Sequence, residues 1–92
     1  MGTFHDNMGE LHGITVVVDT EGSRIAIGRR HEMNAVEIVL MDADIHEEAP
    51  GASTKKDFIQ RAAQVGVWAR HRRLVMPMQG VVSVTPLGQF EG

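Results

Sequence analysis

Residues 14–28 read ITVVVDTEGSRIAIG, and this stretch decides the fold class. Ile14 to Asp19 is a β-branched run with apolar residues on both faces, which predicts a strand buried on two sides or set in a barrel wall. Glu21-Gly22 supplies a turn. Ser23 to Gly28 then predicts a second strand, with Ile25 and Ile27 on one face and Arg24 on the other. Arg29 to Asn34 reads as a polar loop or a strand end. Ala35 to Ile45 predicts the longest strand, with Val36, Ile38 and Leu40 on one face and Glu37, Val39, Met41 and Ala43 on the other. Asp42 and Asp44 are expected where it leaves the core.

Glu47 to Ser53 has the composition of a linker, with Pro50 beside Gly51. A helix is predicted over 54–66. Thr54 and Asp57 have capping-box spacing, with Asp in the usual Glu place. Phe58, Ala62 and Val65 recur on one stripe flanked by Ile59 and Ala63, and Gly66 ends it. Trp68 is expected to pack beneath with Phe58, Ile59, Ala62 and Val65. Arg72 to Met78 and Val81 to Leu87 predict two more strands around a tight Gln79-Gly80 turn. Pro77 and Pro86 belong at edges or strand ends because neither can donate to a ladder. Residues 1–12 read as an N-terminal arm, with Phe4, Met8 and Leu11 on a short stripe, 13–88 as one small domain, and 89–92 as a tail. The order β-β-β-α-β-β in about 75 residues is too short for a sandwich, which needs about seven strands. It predicts a mostly β protein, a small five-stranded antiparallel barrel with one helix inserted between strands three and four.

Composition narrows the function. The chain has 92 residues and no cysteine, which excludes disulfides, thiolate catalysis and Cys-type zinc sites and fits a cytoplasmic protein. No apolar run approaches the roughly 18 residues of a membrane span, so no membrane partner is expected. Met1 to Gly13 lacks the basic-then-apolar pattern of a secretory signal. Net charge is −3, unevenly placed. Residues 1–50 hold three basic residues against ten acidic ones, and residues 51–92 hold six against two. Such asymmetry fits either a nucleic-acid face on the basic part or complementary halves, within one barrel or between subunits.

The strand pattern resembles the Sm-like (LSm) barrel, the fold shared by Sm proteins and the bacterial Sm-like RNA chaperone. Ile14–Asp19, Gly22, Ile25–Gly28 and Val39-Leu40-Met41-Asp42-Ala43 match the first Sm motif. Residues 73–84, RLVMPMQGVVSV, have the shape of the second. Other small SH3-like barrels, including those of the photosynthetic-reaction-centre type, give nearly the same strand pattern. The family resemblance implies an RNA-binding, self-associating module. It points to Asn34, from the Met-Asn pair before the third strand, and to Gln79, which stands where the family carries Arg. Aligned on residues 39–43, Met33-Asn34 falls about three residues early. The resemblance also implies a homo-oligomer joined through strands four and five, with Leu74, Met76, Val82 and Val84 at or near the interface.

Other candidates come from the residues themselves. Trp68-Ala-Arg70-His71-Arg72-Arg73 is the densest basic segment and holds the only tryptophan. Arg70, Arg72 and Arg73 with Trp68 suit phosphate contact and base stacking. The same arginines could instead pair with Asp42, Asp44, Glu47 and Glu48 while Trp68 anchors the helix. There are five histidines, His5, His12, His31, His46 and His71, and the His5–Asp6 and His46–Glu47–Glu48 clusters could offer metal ligands from loops. No cofactor is called for, and no resident metal site is assigned. Ser23, Ser53 and Ser83 lie in no nucleophile motif and no phosphate-binding loop is present, so an enzyme is not expected. Three readings stand: an Sm-like binding module with RNA as the implied ligand, a structural or protein-interaction domain without nucleic acid, and a His/carboxylate metal-binding protein.

Overall fold

The computed structural model describes residues 13–90; the arm expected at 1–12 and residues 91 and 92 lie outside them. The elements are β1 (Thr15–Thr20), β2 (Arg24–Met33), β3 (Glu37–Glu47), α1 (Lys55–Val65), β4 (His71–Pro77), β5 (Val81–Pro86) and a closing 3-10 turn, Leu87–Phe90. The strands form one antiparallel sheet in the order β4-β3-β2-β1-β5. This is the small bent five-stranded architecture with its helix between strands three and four.

The two-faced apolar run of β1 is explained by two cores. Val16 and Val18 join Ala26, Ile38, Leu40, Ala43 and Met76 inside the curved sheet. Val17 points the other way, to Ile25, Ile27, Phe58, Ala62 and Leu87 beneath the helix. Alternate residues of a strand face opposite sides, so one short run serves both cores. Burying each such side chain stabilises by roughly 1.5–3 kcal/mol.

β2 runs longer than expected, and β3 is shifted two residues toward the C-terminus, to Glu37–Glu47 from the expected Ala35–Ile45. Arg29 to Met33 continue β2 rather than forming a loop, because Arg30, Glu32 and Met33 pair with Leu40, Val39 and Ile38. Asp42 and Asp44 do not mark the end of β3, which runs on to Glu47 with Asp44 buried. Bulges make this length possible. Ile27 pairs with Asp44 and Arg29 with Met41, so Asp42 and Ala43 together oppose Gly28. Asp42 takes a positive φ of 49° there, a conformation that Asp tolerates better than most residues. Bulges bend a strand and increase its twist, and a second one between Arg30 and Glu32 adds to the curvature. Gly28 sits at the tightest point of the bend. A Cβ there would lie 2.5 Å from Ala43 Cβ and 2.9 Å from Ala43 Cα.

The helix begins and ends as its cap residues dictate. Thr54 Oγ1 accepts from Asp57 N–H at 3.1 Å. Gly66, at φ 93°, ends the helix and donates to Ala62 O at 2.9 Å. Lys55 ties the helix start to the β1–β2 turn, with Nζ 2.8 Å from Asp19 Oδ1, 2.9 Å from Thr20 O and 2.6 Å from Gly22 O. Phe58 and Ala62 are buried and Ile59 is half-buried, but Val65 and Trp68 are 77% and 74% exposed, against expectation. The helix ends at Gly66, and beyond it Val67 takes the contact with the Phe58 core that Trp68 was expected to make.

β4 and β5 stand at opposite edges of the sheet. They are joined by a tight turn, with Val81 N–H donating to Met78 O at 3.0 Å, but do not pair with each other. β4 lies along β3 and β5 along β1, so both remain outer strands. Pro77 and Pro86 each end a strand, as their missing N–H requires.

Candidate nucleic-acid interface

The β2–β3 turn is built by Asn34. Its backbone N–H donates to Glu37 O at 3.0 Å. Its side-chain Oδ1 accepts from Val36 N–H at 2.7 Å and Glu37 N–H at 3.0 Å. This is an Asx-type turn, in which the side chain holds the backbone. The three-residue offset noted in the sequence therefore leaves Asn34 on the turn, with Ala35 and Val36 inside it and β3 starting at Glu37.

The β4–β5 turn lies against it. Met78 N–H donates to Val36 O at 2.9 Å, extending the Glu37–Pro77 pairing by one step and bringing Asn34 and Gln79 to the same end of the sheet. On its other side, Glu21 N–H donates to Gly80 O at 2.8 Å, anchoring the turn to the β1–β2 turn. Both Asn34 and Gln79 are exposed. Their amides present neutral donors and acceptors in a shared, backbone-braced position. Such groups can read the edge of an unpaired base but attract phosphate far less than a guanidinium would.

The basic segment lies elsewhere. Arg73 pairs with Met41 and His71 with Ala43, at the end of β4 away from Gln79. Arg70 Nε donates to Asp44 Oδ1 at 2.8 Å, and Asp44 Oδ1 also accepts from Ile45 N–H at 2.9 Å. The Arg70 guanidinium lies 5.3 Å from the centre of the Trp68 ring. Arg72 and Arg73 are exposed. Of the carboxylates expected to meet these arginines, only Asp44 does so among the described residues. Asp42 pairs with Arg29, Glu47 accepts from Ser23 Oγ at 3.3 Å, and Glu48 accepts from Lys55 N–H at 3.0 Å. Asp44 was one of four candidate carboxylates in the sequence, and which of them would be the partner was not legible because the pairing spans the linker and the whole helix.

The interface candidates divide by side-chain direction. Met76 is buried in the inner core, and Leu74 and Val84 pack against it. Val82 is 65% exposed, and Val75, absent from the expected set, is 43% exposed. What the outer strands offer another chain is thus their backbone edges together with Val75 and Val82.

His46 stacks on Phe58 with ring centres 5.1 Å apart, and its Nε2 donates to Ser53 O at 2.7 Å. That packing occupies the histidine of the His46–Glu47–Glu48 run. Among the described residues no three His, Asp or Glu side chains come together as a metal site. His5, Asp6 and His12 lie outside the described residues. Nor, among those residues, is any helix long and apolar enough to cross a membrane.

A bulged, five-stranded antiparallel sheet with outer strands four and five is the Sm-like fold. No protein-family model matches the chain, and no curated protein does. Among solved structures the chain is similar to a Pyrococcus abyssii Sm protein in complex with a uridine heptamer, at 18% identity over 89% of this chain and 94% of that one, with a TM-score of 0.58. At that identity the likeness is one of fold.

Proposed function

We propose that this chain is a non-enzymatic, cytoplasmic Sm-like module that binds single-stranded RNA at the Asn34–Gln79 end and assembles with copies of itself through β4 and β5. The observation that carries the reading is the Met78–Val36 hydrogen bond, which braces the two turns side by side. The fold shared with an Sm protein solved with a uridine heptamer supports it. With Asn34 Oδ1 spent on two backbone donors, the Nδ2 group is left to donate to a base carbonyl. Gln79 supplies a second amide without a charge, so binding through this end should depend only weakly on salt. The unpaired edges of β4 and β5 are complementary templates for a neighbouring chain, and the exposed Val75 and Val82 would be covered by it.

The test is fluorescence anisotropy with labelled heptauridylate, beside light scattering of the free protein. Wild type should bind, and Asn34→Ala and Gln79→Ala should each weaken binding by about fivefold or more, the loss of one hydrogen bond at roughly 1 kcal/mol. Light scattering should give a multimer that Val82→Lys dissociates. Binding that ignores both substitutions overturns the site. No binding by a multimeric protein overturns the RNA reading in favour of an assembly domain without nucleic acid. That second reading is favoured by one observation, that the carbonyl of Asn34 already serves the turn itself.

A further inference from the structure

The stretch from Gly66 to Arg70 takes no part in the turn site, yet it borders a cleft of about 380 Å³ between the C-terminal half of α1 and the sheet. That volume is within the range of small-ligand clefts, roughly 300–1,000 Å³. Its floor includes Ile27, Phe58 and Ala62, all buried. Its rim carries Trp68 with two guanidinium groups, Arg61 and Arg70. Trp68 is 74% exposed, and Arg70 lies against its ring, 5.3 Å from the centre. The buried Asp44 holds Arg70 through Nε, and the two terminal nitrogens of Arg70 make no hydrogen bond among the described residues. Arg61 forms no ion pair among those residues. Arg72 and Arg73 follow, exposed, at the start of β4.

We propose that this cleft is a second contact site for single-stranded RNA, in which a base stacks on Trp68 and the adjoining phosphate is held by Arg61 and the terminal nitrogens of Arg70. Arg70 lies against the exposed indole, and base stacking on an aromatic ring is tolerant of sequence because every base has a π-face. The buried carboxylate orients Arg70 through one nitrogen and leaves the rest of its fork for a phosphate. Arg72 and Arg73 extend the positive charge along the chain, which suits a strand of several phosphates better than a single nucleotide. The cleft includes neither Asn34 nor Gln79 and does not depend on the turn site.

Trp68 is the only tryptophan, so its emission reports on this site alone. The experiment titrates the full chain with heptauridylate, heptaadenylate, uridine monophosphate and polyglutamate. Saturable quenching by both heptamers is expected, with the mononucleotide at least about tenfold weaker. Arg61→Glu, a change at an exposed helix position, should weaken the titration by about tenfold or more with an unchanged melting temperature. Trp68→Leu should lower affinity comparably when binding is read by anisotropy of labelled RNA. The Asn34→Ala/Gln79→Ala double variant should retain the quenching, which separates this site from the turn site. RNA that binds by anisotropy without changing Trp68 emission, or equally well to Arg61→Glu, overturns the proposal and leaves the turn reading standing. No binding of RNA by either readout overturns both. Quenching by polyglutamate but not RNA overturns it in favour of an acidic protein partner, and equal affinity for the mononucleotide overturns the assignment to a strand.

Discussion

The bulged pairing of β2 with β3 and the segment around the end of α1 use similar apolar residues for opposite ends. At the bulge, Gly28 lies so close to Ala43 that one methyl group has no space, and Ile25, Ile27, Ile38 and Leu40 are fully buried. At the end of the helix and just beyond it, Val65 and Trp68 stand in solvent beside three arginines. Side-chain type does not separate the two regions. Position relative to a bulge or a helix cap does, because those features decide which way the backbone carries each residue. Burial is concentrated at the bulged β2–β3 pairing and under the helix.

Substitutions can break or sharpen this contrast. The largest effect is expected for Phe58→Ala, which removes the side chain that joins α1 to Val17, Ile25 and Ile27. It should cost on the order of 3 kcal/mol in denaturant unfolding, and a loss below about 1 kcal/mol would show that the helix is not held by this core. Gly28→Ala should follow, at roughly 1–3 kcal/mol, because the added methyl meets Ala43 backbone as well as side chain. A neutral result in chemical denaturation would mean that the bulged β2–β3 pairing is looser than its geometry. Trp68→Ala should be smallest, within about 0.5 kcal/mol, since an exposed ring leaves no cavity behind. A large drop in its melting temperature would place Trp68 in a stabilising role and erase the distinction between the regions.

Much of this was legible in the chain itself. The two-faced apolar run of β1, the turn at Gly22 and the Thr54–Asp57 cap act over a few residues, so their consequences follow from local geometry. The helix between strands three and four follows from the same kind of signal. The candidate site was half legible. Asn34 and Gln79 stood out through the Sm resemblance, but their sequence separation hid that one backbone hydrogen bond joins their turns. The partnership of Arg70 with Asp44 was equally hidden among several carboxylates of similar promise.

By itself the sequence determined which segments extend, which one coils and where the helix begins and ends, because β-branching and capping act on neighbouring residues. Only the tertiary structure decided that Asp42 and Ala43 would share one opposing glycine, that β5 would leave β4 to pair with β1, and that Trp68 would face water while Val67 packed inward. The physical reason is common to all three. Each depends on how residues far apart in the chain compete for the same space in a curved sheet, and curvature arises from bulges that no single strand's pattern specifies.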